Sequence, residues 1–150
     1  MSCIADKLDK INSLIGNSDF DGELTFNLLN KIIIDTQANK EEIADALLMK
    51  GLIVAMYCSY LTEYEEDETG LKYFIKAFEY NPYELGILFN ILNSFTEHDM
   101  RQEFTRNNTH MFIKAYDILK NELYDSLSQE LKEMLKNYAD KYQQFKHEAS

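Results

Sequence analysis

One proline and five glycines punctuate 150 residues, and that scarcity constrains the fold more than any other feature of the sequence. Strand-rich folds need turn-forming residues every ten positions or so, and here they are missing. Apolar residues recur instead at helical spacing along almost the whole chain. Ile4, Leu8, Ile11 and Ile15 form one stripe, ended by Gly16. Leu24, Leu28, Leu29 and Ile32 mark a second helix, with Asp21 placed to cap its N-terminus. Lys40 to about Tyr64 reads as one long third helix, and Glu41 and Glu42 suit the positive end of its dipole. Ile43, Leu47, Val54 and Leu61 fall near its inward face, while Ala44, Gly51, Ala55 and Cys58 leave room for a neighbouring helix.

The remaining chain continues the pattern. Thr69 to Tyr80 is helical and stops at Asn81-Pro82, because the residue before proline avoids the helical region. Tyr83 to Phe95, Asp99 to Leu119 and Glu122 to Phe145 bring the expectation to about seven helices. The stretch Thr105-Arg106-Asn107-Asn108-Thr109 has poor helix propensity and predicts a break in the sixth. In the seventh, Leu123, Leu127, Leu131, Leu135, Tyr138 and Tyr142 keep to one side. That regularity predicts a long amphipathic C-terminal helix acting as a cap. The fold class is therefore all-α, as antiparallel helical hairpins within a single domain over residues 1–150, a common domain size.

Charge narrows the partners. Fifteen basic residues against 26 acidic ones give a formal net charge of −11. Nucleic-acid binders normally carry a lysine and arginine footprint, and anionic membranes repel such a surface, so neither partner is expected. A protein with a basic surface would instead be steered in. Cys3 and Cys58 make no CxxC pair or disulfide framework, and Cys58 reads as a small buried hydrophobe. The first residues lack a signal-peptide pattern, and the longest nearly apolar run, Leu52 to Met56, is too short to span a bilayer. A cytoplasmic protein is the expectation.

One segment echoes another. Tyr73-Phe74-Ile75-Lys76-Ala77-Phe78-Glu79-Tyr80 returns 38 residues later as Met111-Phe112-Ile113-Lys114-Ala115-Tyr116-Asp117-Ile118. A fixed period of this size points to stacked helical hairpins, with Phe74, Ala77, Phe112 and Ala115 packed between paired helices. The pattern Gly70…Phe74…Ala77…Pro82, followed by Leu88, Ile91, Leu92 and Phe95, resembles the tetratricopeptide repeat. The match is degenerate and covers about residues 44–119. The resemblance implies an array of helical hairpins that binds peptides or protein surfaces, and it brings no catalytic residues.

Other patterns point to chemistry only weakly. Asn17-Ser18-Asp19-Phe20-Asp21-Gly22-Glu23-Leu24 is similar to the start of an EF-hand loop, but position twelve, which needs a bidentate glutamate, is Leu28. An interhelical turn capped by Asp21 is the expected structure. Arg106-Asn107-Asn108-Thr109-His110 resembles the Arg-Asn…His signature of HEPN-type ribonucleases, with three residues between arginine and histidine instead of at least four. That shorter offset rotates the pair by about 100° on a helix. His98, His110 and His147 lack the partners of a metal site, and no nucleotide-binding or nucleophile-elbow motif is present. Neither cofactor nor metal is expected, and the chain reads as non-enzymatic.

Tyrosine carries the strongest functional signal. Tyr57, Tyr60 and Tyr64 lead into Glu63 to Glu68, where five of six residues are acidic, and Tyr80 and Tyr83 flank Pro82. Tyrosine is enriched at binding hot spots because it offers wide contact area with a polar tip. Tyr60, Tyr64, Glu65, Glu66, Asp67, Glu68, Tyr80 and Tyr83 are therefore the expected partner-binding residues, with Tyr73 and Tyr116 assigned to the core. The function that fits is protein binding, as an acidic inhibitor (an immunity protein or antitoxin) of a basic partner. A secretion chaperone or assembly adaptor is the first alternative, and a degenerate HEPN-like ribonuclease the second.

Overall fold

In a computed structural model that describes residues 3–15, 21–57 and 69–149, every regular element is helical and no strand occurs among the described residues. The α-helices are α1 (Cys3–Leu14), α2 (Gly22–Ile33), α3 (Lys40–Tyr57), α4 (Leu71–Tyr80), α5 (Leu85–Asn93), α6 (Glu103–Arg106), α7 (Thr109–Asp117), α8 (Gln129–Lys136) and α9 (Ala139–Ala149). The all-α expectation holds. The backbone groups into two compact units, Met1–Pro82 and Tyr83–Ser150.

Local chemistry starts and stops these helices. The Leu24 N–H donates to Asp21 Oδ1 at 3.0 Å, so Asp21 caps α2 as its position predicts. Asn39 and Glu42 close a reciprocal capping box at α3. The Glu42 N–H donates to Asn39 Oδ1 at 2.8 Å, and the Asn39 N–H to Glu42 Oε1 at 3.0 Å. Glu84 accepts from the Gly86 and Ile87 N–H groups at the head of α5. Asn81, just before Pro82, leaves the helical region and ends α4.

In the first unit α3 is the central helix, packed most extensively on α4 and α2 and also touched by α1. Leu29, Ile32, Ala44, Leu47, Ile53, Val54, Leu71, Phe74 and Ala77 fill this core. Close approach of α3 and α4 depends on two glycines. A Cβ on Gly51 would lie 2.4 Å from Phe74 Cε1, and one on Gly70 would lie 2.1 Å from the Gly51 carbonyl oxygen. Ala55, expected to serve the same approach, is exposed instead. Cys58, Leu61 and the expected extension of α3 to Tyr64 lie outside the described residues.

In the second unit α7 packs on α5 and α9. Its centre is an edge-to-face aromatic cluster. Phe112 meets Phe95, Phe145 and Tyr138 at ring-centroid separations of 5.6, 5.2 and 5.9 Å. Such pairs add about 0.5–1.5 kcal/mol each beyond simple burial. The predicted break in the sixth helix is real: Asn108 Nδ2 donates to the Phe104 carbonyl at 2.7 Å, replacing a backbone donor where α6 stops.

The seventh helix requires a correction. Glu122 to Phe145 is not one long cap. After α7 the chain makes a π turn over Ile118–Glu122 and a 3-10 turn over Tyr124–Ser126, then α8 and α9. Leu127 and Ser128 are extended (ψ 144° and 161°). The cause is local competition for backbone groups. The Ser126 hydroxyl donates to the Leu123 carbonyl, and Ser128 Oγ accepts from the Leu131 N–H to begin α8. Apolar spacing alone misses such serines, because period reports only which side is buried.

Candidate functional site

The two copies of the echoed segment are α4 and the end of α7 with the residue after it, one in each unit. Phe74, Ala77, Phe112 and Ala115 are all buried. The repeat therefore marks core positions, and function has to be sought in the side chains left outside.

On α4 the aromatic residues divide sharply. Tyr73, Phe74 and Phe78 are buried, whereas Tyr80 is 41% exposed. In the second unit Tyr83 is 54% exposed, its hydroxyl donating to Glu122 Oε1 at 3.2 Å. Tyr116 is buried as expected, stacked on Tyr142 with centroids 4.2 Å apart. Among the tyrosines whose side chains are described, Tyr80 and Tyr83 are the exposed ones. The other residues expected at the binding face, Tyr60, Tyr64, Glu65, Glu66, Asp67 and Glu68, lie outside the described residues.

The remaining tyrosines of the second unit are tied into polar contacts. The Tyr142 hydroxyl donates to Asp117 Oδ1 at 2.6 Å. That hydrogen bond, then burial, pushes its pKa up to about 12. The Tyr138 hydroxyl donates to Asn93 Oδ1 at 2.5 Å, and burial raises its pKa as well. Lys120 and Lys132 lie 4.2 and 5.0 Å from the Tyr124 ring centroid. These contacts join elements of the second unit.

Arg106 is committed structurally too. Its Nη1 donates to the Met100 and Arg101 carbonyls at 3.1 and 2.6 Å, closing the 3-10 turn Asp99–Arg101 against α6. His110 is exposed at the start of α7. No group of three or more His, Cys, Asp or Glu side chains able to hold a metal ion occurs among the described residues. Asp21, one of two described carboxylates of the EF-hand-like stretch with Glu23, caps α2, and Asn17 to Phe20 lie outside the described residues. No described helix is long and apolar enough to cross a membrane.

Two features of the first unit were not anticipated by periodicity. Lys50 is buried at 7% exposure, with Nζ 2.5 Å from Asn30 Oδ1 and above the Phe26 and Tyr73 rings at 4.3 and 4.6 Å. It clamps α2 to α3 and α4 through hydrogen bonding and cation–π attraction. The second is a pocket of about 390 Å³ between α1 and α2, lined by Lys7, Lys10, Ile11, Leu14, Leu28, Lys31, Ile32 and Asp35. Leu24 and Leu28, assigned by periodicity to the helix stripe, are 57% and 36% exposed. The available signal was a lysine one helical step before the apolar lining residues of α1: Lys7 before Ile11, and Lys10 before Leu14.

No family model, no curated protein and no solved structure matches this chain.

Proposed function

We propose that the chain is a non-enzymatic protein-binding module, an acidic inhibitor of the immunity-protein or antitoxin kind that engages a basic protein surface. The observation that carries this reading is Tyr80. It is the one aromatic side chain of α4 at the surface, on a helix whose other three rings complete the core. A tyrosine the core does not use is available to a partner. Charge supports the same reading. Residues 1–82 hold fifteen acidic and seven basic side chains, a formal −8 of the total −11, and five of those acids fall within residues 63–68. A basic partner approaching this unit is accelerated by the long-range field. The structural commitment of Arg106 to backbone carbonyls weighs against the ribonuclease alternative. Burial of α4 on α3 through Gly51 and Gly70 agrees with the hairpin packing that the tetratricopeptide resemblance implies.

The test begins with a photo-crosslinking residue in place of Tyr80 in the full chain, expressed in its own cells, with Gln143 as the reference position. A basic protein captured at position 80 and not at 143 is the expected result. The Glu65→Lys/Glu66→Lys/Asp67→Lys variant should then associate more slowly with that partner and lose salt dependence. A partner that binds this variant at the wild-type rate with the wild-type salt response overturns the acidic-face reading.

A further inference from the structure

We infer that the pocket between α1 and α2 binds a small amphipathic carboxylate, an anionic head on an apolar body. The inference concerns a different site and ligand class from the protein interface proposed above. The pocket is lined by Lys7, Lys10, Ile11 and Leu14 from α1, by Leu28, Lys31 and Ile32 from the end of α2, and by Asp35 from the turn that follows. The α1 residues run i, i+3, i+4, i+7 and the α2 residues i, i+3, i+4, so each helix presents one face to the cavity. Four of the eight lining residues are aliphatic, and Leu14 and Leu28 are left partly exposed at 38% and 36%. At about 390 Å³ the cavity is near the small end of the range for ligand pockets.

Charge decides the ligand class. Three of the chain's fifteen basic residues line this one pocket, in a protein with net charge −11. Lys7, Lys10 and Lys31 form no ion pair with a carboxylate among the described residues. The single acidic lining residue, Asp35, is held in its own turn, where its Oδ1 accepts from the Gln37 N–H at 2.8 Å. The lysines therefore make a local positive rim on an apolar floor. Asp6 and Asp9 share α1 with Lys7 and Lys10 but do not line the pocket, so its wall presents three cations and one carboxylate. Lys31 also offsets the negative end of the α2 dipole, which leaves Lys7 and Lys10 as the cations most available to a ligand.

The same features argue against a phosphate ligand. The pocket has no arginine fork to grip a phosphate bidentately. A monocarboxylate needs only lysine point charges for its head, while Ile11, Leu14, Leu28 and Ile32 cover its body. That division matches the usual anatomy of a small-molecule site, with apolar walls and a few placed polar groups.

Decanoate at submicellar concentration is the probe, titrated into the full chain and followed by amide and methyl NMR shifts. The expected result is saturable perturbation confined to α1 and α2. The Lys7→Gln/Lys10→Gln/Lys31→Gln variant, altered only at exposed positions, should bind about tenfold more weakly or worse. Leu28→Glu, which supplies a carboxylate from within the pocket, should abolish binding while circular dichroism stays native. Absence of α1 and α2 shifts in the folded wild-type chain overturns the assignment. So does decanol binding as tightly as decanoate, because the lysines would then play no part. An acidic amphipathic peptide that perturbs these helices while decanoate does not would make the pocket a protein-docking site instead, and the small-molecule inference would fall.

Discussion

Gly70 adopts φ +80° and lies so near Gly51 that a Cβ added to it would sit 2.1 Å from the Gly51 carbonyl oxygen. A methyl group on Gly70 would press backbone against backbone, whereas one on Gly51 would have to displace the Phe74 ring. Gly70→Ala combines left-handed strain with a backbone clash and should cost about 2–4 kcal/mol. Gly51→Ala meets only the Phe74 ring, at 2.4 Å, and should cost about 1–3 kcal/mol. Denaturation followed by circular dichroism measures both. Phe74→Leu should partly restore the Gly51→Ala variant and leave Gly70→Ala unchanged, because only the former clash is with a side chain.

The Tyr142–Asp117 hydrogen bond predicts an alkaline weakness. Tyr142 has a pKa of about 12 in the fold against an ordinary value of 10.0. The folded state therefore holds this proton more tightly than the unfolded chain does. Its stabilising contribution is complete below pH 10.0 and is lost as pH rises through about 12. Tyr142→Phe should cost about 1–2 kcal/mol at neutral pH and flatten that alkaline loss. Denaturation midpoints measured across the alkaline range decide it. An unchanged slope in the variant would locate the alkaline sensitivity elsewhere.

Thr105 is fully buried, and its hydroxyl has no hydrogen-bond partner among the described residues. Burying an unpaired hydroxyl is unfavourable, so Thr105→Val should stabilise the chain by about 1 kcal/mol. A raised melting temperature is the expected reading.

Arg106 and His110 are predicted to behave unequally. Arg106→Ala removes two donors to the Met100 and Arg101 carbonyls and should cost about 0.5–1 kcal/mol, the low end because the side chain is exposed. His110→Ala, also at the surface, should stay within about 0.5 kcal/mol of wild type. Purified protein that cleaves RNA, and loses that activity in both variants, would revive the ribonuclease alternative.

Tyr80→Ala and Tyr83→Ala should each change stability by less than about 0.5–1 kcal/mol, because neither ring completes a core. Tyr73→Ala, buried against Phe26 with centroids 5.7 Å apart, should cost about 3–5 kcal/mol. Melting curves of the three variants test the division between core and surface tyrosines.

The helices themselves were legible in the sequence wherever a local rule acts within a few residues. Asp21 caps α2, Asn81-Pro82 ends α4, and Asn107-Asn108 separates α6 from α7, each through its own side chain or ring. The same locality explains the miss at the C-terminus. Ser126 and Ser128 break the expected helix by bonding to nearby backbone, a contest that an unbroken leucine spacing conceals. Tyr73 and Tyr116 are buried as expected, whereas Tyr80 lies seven residues after Tyr73 on nearly the same helical phase, and only tertiary packing leaves it exposed.

What the sequence determined by itself is the all-helical class and most helix ends, since backbone hydrogen bonds and capping are satisfied among neighbours in the chain. Tertiary structure alone decided that Gly51 meets Gly70, that Lys50 lies between Phe26 and Tyr73, and that three lysines of α1 and α2 rim one pocket. Those relationships join residues about 20 positions apart or more. They depend on which helix faces pack together, and apolar periodicity defines a buried face without naming the surface that buries it.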